Sequence, residues 1–278
     1  MALKKPDWMK IKVRGSGKFM AVEELLKDLK LNTVCVEANC PNKMECYERK
    51  TSTFMILGAN CTRNCLYCNV TCARPEEVDL EEPKNLATAV DRLKLKHAVI
   101  TSVTRDDLED EGANQFAEVI REIRKLNKDI TIEVLIPDFH AKKELMDIVY
   151  DEKPDVLNHN IEAARSIFKT VRPQGDYERS LEVLRYAKEK GLVSKSGFMV
   201  GLGETKEEVF ETLKDLRDVD CDMVTIGQYL QPSKDHFEID RYVTPEEFEE
   251  YKAIAYEMGF KHVASGPFVR SSYHAKAL

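Results

Sequence analysis

Apolar positions along the chain follow two alternating rhythms. Short apolar runs of strand length occur at 54–58, 98–103, 130–136, 156–159, 197–201, 223–229 and 262–264. Between them the apolar residues take helical spacing. Phe116, Val119, Ile120, Ile123 and Leu126 mark a helix over 113–127, and Val209, Phe210, Leu213 and Leu216 mark one that starts near 206. Thr205 with Glu208, and Thr244 with Pro245 and Glu247, read as capping-box starts. Gly191, after a helix ending in Lys188–Lys190, reads as a C′ glycine. Regular strand–helix alternation predicts an α/β fold with parallel strands and right-handed crossovers, and about six such units make a partial (βα)6 barrel. Upstream, Val22, Leu25, Leu26 and Leu29 share one helix face and predict a helix packed on the body as an extension.

In parallel β/α folds the chemistry gathers at the C-terminal strand ends. Here those ends are polar on nearly every strand. They carry Ser102-Val103-Thr104-Arg105-Asp106-Asp107, Pro137-Asp138, Asn158-His159-Asn160 with Glu162, then Val171-Arg172-Pro173 and Gly227-Gln228-Tyr229. Any one alone reads as an ordinary loop; the set does not. His159 alternates with two asparagines, so it and they face opposite sides of the strand; a core histidine and a site residue are both open readings. The run MVGLGE is rich in glycine but lacks G-x-G-x-x-G, so it predicts close backbone approach to a ligand rather than a dinucleotide site.

Composition narrows the class. The chain has 278 residues, 43% hydrophobic and 33% charged, with a net charge of −7. That describes a soluble globular protein with no electrostatic bias toward nucleic acid. No apolar run reaches bilayer-spanning length, and MALKKPDWMK has no apolar secretory core, so no membrane partner and a cytoplasmic location are expected. In that setting disulfides are an unexpected use for eight cysteines. Six of them fall between 35 and 68, a clustering that points to metal.

The stretch FMILGANCTRNCLYC places Cys61, Cys65 and Cys68, spaced C-x3-C-x2-C, on a loop after a buried strand. Three thiolates can hold three corners of a [4Fe–4S] cluster and leave one iron open to a small molecule. A structural zinc site wants four closed ligands in C-x2-C pairs, which this triplet matches poorly. A second triplet, Cys35, Cys40 and Cys46, is spaced C-x4-C-x5-C. It needs a fourth ligand from elsewhere, stays open, or is a zinc knuckle completed by Cys72 or a histidine. Cys221 precedes an apolar strand and reads as a small core residue. The tail, GPFVRSSYHAKAL, crowds Arg270, Ser271, Ser272, Tyr273 and His274 where termini usually fray.

The C-x3-C-x2-C loop with Tyr67 resembles that of radical S-adenosylmethionine enzymes. From about Lys5 onward the chain resembles the lipoyl synthases, through KPDWMKIKV, CPNKMEC, CTRNCLYC, ITSVTRDDL, VLNHNIE, VRPQGDYERSLEVL, KSGFMVGLGE, VTIGQYLQPS, RYVTPEEF and SGPFVRSSYHA. It departs from their pattern at Asn60, Thr104, Glu111-Gly112 and Cys72. The resemblance implies a partial barrel over 51–265, an N-terminal extension over 1–50 carrying the first triplet, and a tail over 266–278. It implies that Cys61, Cys65 and Cys68 bind the radical cluster. It further implies that Cys35, Cys40 and Cys46 hold an auxiliary [4Fe–4S] cluster whose fourth ligand is Ser272, with Ser271 the other choice. Ser102, Asn158, Asn160, Arg172 and Arg270 are the expected cofactor and substrate contacts.

The activity implied is insertion of two sulfur atoms at C6 and C8 of an octanoyl chain amide-linked to a lysine of a lipoyl carrier domain or a glycine-cleavage H protein. The implied cofactors are two [4Fe–4S] clusters and S-adenosylmethionine, source of a 5′-deoxyadenosyl radical, with sulfur coming from the auxiliary cluster. The implied partners are that carrier, a reductant such as flavodoxin or ferredoxin, and an iron–sulfur carrier. Two other readings stay open: another radical enzyme whose auxiliary cluster only transfers electrons, and a non-catalytic zinc-binding interaction protein.

Overall fold

A computed structural model describes residues 4–10, 17–48 and 52–272. Tyr273, His274 and the end of KPDWMKIKV lie outside the described residues. After a single 3-10 turn at Asp7–Met9 come α1 (Gly17–Asp28), β1 (Asn32–Thr33), α2 (Val34–Glu37) and α3 (Lys43–Glu48). Then follow β2 (Thr53–Ile56), a short pair β3 (Asn60–Cys61) and β4 (Thr71–Cys72), and α4 (Glu82–Leu93). The alternation continues with β5 (His97–Ser102), α5 (Ala113–Leu126), β6 (Thr131–Leu135), α6 (Lys143–Tyr150), β7 (Val156–Asn158), α7 (Arg165–Val171) and α8 (Tyr177–Glu189). It ends with β8 (Ser194–Val200), α9 (Lys206–Asp218), β9 (Met223–Gln228), α10 (Pro245–Glu257) and β10 (His262–Gly266).

The sheet order is β1-β2-β5-β6-β7-β8-β9-β10, with every pair from β2 to β10 parallel and β1 antiparallel to β2. Six strand–helix units followed by one more strand give the open partial barrel that the alternation predicts. Strand bounds match the apolar runs to within three residues. The largest shift is at β8, which begins at Ser194 because Ser194 and Lys195 continue the ladder although neither is apolar. Both capping boxes form, and Gly191 takes a positive φ after α8.

Period-two alternation sorts each strand into two faces. One face packs the helices. Ala98, Ile100, Ile132 and Val134 meet Phe116, Val119, Ile120 and Ile123, while Phe198, Val200, Val224 and Ile226 meet Val209, Leu213 and Leu216. Each such side chain, fully buried, stabilises the fold by about 1.5–3 kcal/mol before entropy is counted. Val22 and Leu26 of α1 join the same core, so the extension is packed on the body. The opposite, inner face is polar: Thr53, His97, Thr101, Glu133, Asn158, Lys195 and Thr225 are all buried there. Among the described residues no helix is long and apolar enough to cross a membrane.

Candidate functional site

The loop after β2 is held to the strand ends by backbone bonds. Thr62 N donates to Thr104 O at 3.1 Å, Leu66 N to Val171 O at 2.8 Å, and Phe237 N to Leu66 O at 2.9 Å. His236 Nε2 lies 3.0 Å from Cys68 O. The Cys61 sulfur accepts from Thr104 N at 3.3 Å and Arg63 N at 3.4 Å. Arg63, between two of the cysteines, is buried and grips Asp106 in a bidentate pair at 2.8 and 2.7 Å and Asp138 at 3.0 Å. Burial alone would raise Asp138, yet the hydrogen bonds and charge of Arg63 hold it well below the usual carboxylate range. The loop is thus fastened to the ends of β5 and β6 by charge as well as by backbone.

The sulfurs of Cys65 and Cys68 feel each other, Cys61 and Glu162. Burial, reinforced by these neighbours, raises Cys65 and pushes Cys68 up to about 12. Arg172 works in the opposite direction on Cys65. Burial with the charges of Cys40 and Cys46 likewise pushes Cys35 up to about 12, so the first triplet also converges. Among the described residues no three cysteine sulfurs lie within 4.8 Å of one another.

The two cysteine loops are tied together, Asn69 Nδ2 donating to Glu37 O at 2.8 Å. The first loop also holds the tail: Asn42 Nδ2 donates to Phe268 O at 2.7 Å. Val269 passes so close to β9 that a side chain at Gly227 would overlap its carbonyl oxygen. Arg270 follows, half-buried near Cys40; its partial burial lowers its guanidinium and the Cys40 charge raises it. Thr53 then donates through Oγ1 to Ser272 Oγ at 2.7 Å, while its backbone amide bonds the Cys35 sulfur. The tail therefore runs from β10 past β9 to the start of β2 and ends beside the first triplet.

Buried polar atoms without a partner include Ser102 Oγ, Asn158 Oδ1, His159 Nε2, Asn160 Oδ1 and Arg172 Nε. They sit at or just after the C-terminal ends of β5 and β7 and in the loop after α7. His159 resolves as a buried neutral ring. Its Nδ1 donates to Ile136 O at 2.9 Å, and burial with the charge of Arg172 lowers it to about 4. Gly197 has no side chain because one would overlap Thr225 Oγ1 and crowd Asn160 Oδ1. The first glycine of the run after β8 packs against the chain itself. A side chain at Gly201 would overlap Gln228 and the Arg241 carbonyl, and Glu204 ties back the amides of Gly201 and Leu202 at 2.6 and 2.9 Å. At Gly201 the close approach is to the chain's own 241 loop, whereas Gly203, at a positive φ, has open space around it.

The model of the radical SAM superfamily matches residues 55–216. A lipoyl synthase of Caldanaerobacter subterraneus subsp. tengcongensis is 54% identical over 277 residues, covering 99% of this chain and 97% of that one. A lipoyl synthase of Caldicellulosiruptor saccharolyticus is 55% identical over 278 residues, covering 99% and 98%. The chain belongs to the lipoyl synthases. A crystal structure of methylornithine synthase, 14% identical with a TM-score of 0.57, covers 90% of this chain and 79% of its own, and shares the fold. As a member of the lipoyl synthases and of the radical SAM superfamily, the chain is an enzyme that works with a [4Fe–4S] cluster and S-adenosylmethionine.

The residues fit those groups. Buried polar atoms without a partner are costly unless something completes them. Two amide oxygens, a guanidinium N–H and a hydroxyl are what an adenosyl amino acid, with its diol, ammonium and carboxylate, can satisfy. Ser102, Asn158, Asn160 and Arg172 of the expected contacts carry such an atom; Arg270 lies near Cys40 of the first triplet, where its charge would face the second cluster. Reading the sequence missed Thr53, Asn42, Arg63, and the buried Glu133, Lys195 and His97. A signal existed for Glu133 and Lys195, which are charges at inner-face positions of the strands TIEVL and SKSGFMV.

Proposed function

We propose that this lipoyl synthase inserts sulfur at C6 and C8 of an octanoyl chain carried on a lysine of a lipoyl carrier domain or an H protein, with a flavodoxin or ferredoxin as reductant. The observation that carries the assignment of parts is the docking of the tail on the first triplet, with Ser272 hydrogen-bonded to the residue whose amide bonds Cys35. Cys61, Cys65 and Cys68 would hold the radical cluster at three corners. When bound, that cluster and S-adenosylmethionine supply an electron and a hydrogen-abstracting 5′-deoxyadenosyl radical. Asn158 and Asn160 would accept from donors of the cofactor, Arg172 would face its carboxylate, and Ser102 would complete the set.

Cys35, Cys40, Cys46 and Ser272 would hold the second cluster, which is the sulfur donor and so a substrate. Serine is a harder ligand than a thiolate, which makes its iron easier to release as the cluster is consumed. Arg270, half-buried beside Cys40, would offset the negative charge of that cluster. The division of labour is an N-terminal extension over 1–50, a catalytic partial barrel over 51–265 and a closing tail over 266–278. A cytoplasmic location suits eight free thiols.

The test is anaerobic. Protein with about eight irons per chain, incubated with S-adenosylmethionine, a reductant and octanoylated carrier, yields lipoyl carrier by mass spectrometry. Intact second clusters after turnover would instead mark an electron-transfer role.

A further inference from the structure

The inner face of the sheet holds an ion pair that the cofactor reading does not use. Glu133 of β6 is fully buried. Its Oε1 accepts from Lys195 Nζ at 2.9 Å and from Asn158 Nδ2 at 3.0 Å. Its Oε2 lies 3.2 Å from His97 Nε2. Lys195 and Asn158 are buried as completely. Burial alone would raise Glu133, but the Lys195 charge and the His97 hydrogen bond hold it below its ordinary value, so it is a carboxylate.

A carboxylate has only acceptors. The Asn158 amide that meets it must present its NH2, which fixes the otherwise ambiguous flip and turns Oδ1 the other way. That oxygen is buried and has no partner. Two residues on, the pattern repeats: the Asn160 amide bonds the Glu162 carboxyl and its Oδ1 is likewise unpartnered. Both asparagines thus offer acceptors, and a ligand meeting them must bring donors. Of the two, the Asn158 orientation rests on groups remote from the cysteine loop: His97 at the start of β5 and Lys195 near the start of β8.

We propose that Glu133, hydrogen-bonded to Lys195 and His97, is a positioning residue that locks the Asn158 amide so that its Oδ1 accepts from a donor of S-adenosylmethionine, either a ribose hydroxyl or the ammonium. The inference rests on the reading of the strand-end site as the cofactor site. An uncharged amide at 133 could accept as well as donate, so Asn158 would no longer have one obligatory orientation.

The experiment is anaerobic calorimetry of S-adenosylhomocysteine, its 2′,3′-dideoxy analogue and its desamino analogue on cluster-loaded enzyme. It compares wild type with the paired variant Glu133→Gln, Lys195→Met, which keeps the lumen filled and neutral. In wild type, one analogue binds roughly tenfold more weakly than the parent, the size of one buried hydrogen bond, and which analogue it is names the donor. In the paired variant that discrimination falls below about threefold. Full discrimination retained by the variant overturns the proposal. Equal binding of all three ligands by wild type overturns it too, while leaving the cofactor reading in place. No binding of the parent to wild type overturns both. Should the paired variant not fold, a structure of the wild-type complex decides: Asn158 Oδ1 within hydrogen-bond reach of a ligand donor supports the proposal, and Nδ2 turned to the ligand overturns it.

Discussion

The Thr53 hydroxyl donates to the Ser272 hydroxyl at 2.7 Å, joining β2 to a tail 219 residues further on. The same threonine bonds Cys35 through its backbone, so one residue of β2 places both a cysteine of the first triplet and the tail serine. Ser272→Ala is expected to cleave S-adenosylmethionine normally, since it leaves the second triplet untouched, and to fail in completing lipoyl. Thr53→Val loses one hydrogen bond, worth about 1 kcal/mol, and should slow sulfur insertion without abolishing it. Product analysis of carrier and 5′-deoxyadenosine from the same reaction checks both. Full lipoyl formation by Ser272→Ala would remove the serine from the chemistry.

The three cysteines after β2 should act as a unit. Alanine at Cys61, Cys65 or Cys68 is expected to reduce iron from about eight to about four per chain and to abolish 5′-deoxyadenosine formation. Measurable 5′-deoxyadenosine from any of the three variants would sink the assignment.

Cys72 and Cys221 should be dispensable for iron. Cys72 is exposed on β4, in register with Cys61. Cys221 is buried, its thiol 3.3 Å from Met223 O. Cys72→Ala should keep its full iron content, and Cys221→Ala should lose some stability through a small cavity but no iron. A loss of about four irons from either would make it a ligand.

His159 sets a pH dependence of stability. Burial and Arg172 lower it to about 4, against about 6.5 in an unfolded chain. Between those values the unfolded state binds more protons, so stability is present above pH 6.5 and is lost as pH falls toward 4. The loss between pH 7 and pH 5 is about 2 kcal/mol. Urea denaturation of apo protein at the two pH values measures it, and His159→Gln should flatten the difference. An unchanged slope in that variant would show that the ring is not held neutral by the fold.

Much of this arrangement is legible along the chain because the fold is built from local rhythms. Apolar runs of strand length, helical spacing as in Phe116 to Leu126, and the threonine caps at 205 and 244 each depend on a few neighbouring residues. The cysteine triplets are legible because ligand spacing is local too. What could not be read comes from distance. The family resemblance implies that the tail reaches the first triplet, but nothing near Thr53 announces that it meets Ser272, and nothing near Asn42 announces Phe268. Glu133 and Lys195 lie 62 residues apart and make sense only once β6 and β8 are both known to turn those side chains inward. Glycines are hard to read for the same reason: Gly201 makes room for Arg241, forty residues further along its own chain.

Gly227 offers the sharpest test of the tail. It lies near the end of β9, and a methyl there would overlap the Val269 carbonyl oxygen and crowd the Arg270 guanidinium. Backbone cannot retreat as a flexible side chain can, so Gly227→Ala must push the tail off the sheet or bend the strand. Gly227 is far in sequence from both triplets and bonds neither sulfur set. If docking of the tail is what completes the first cluster site, Gly227→Ala should reproduce the Ser272→Ala phenotype. 5′-Deoxyadenosine formation should persist within about twofold, and lipoyl formation should fall at least tenfold, the equivalent of about 1.4 kcal/mol or more. Gly266→Ala is the control, since a methyl there meets only the Val269 side chain at ordinary contact distance, 3.4 Å, and should cost little. Equal loss of both products in Gly227→Ala would point to general damage to the barrel, and full lipoyl formation would show that the tail need not lie where it does.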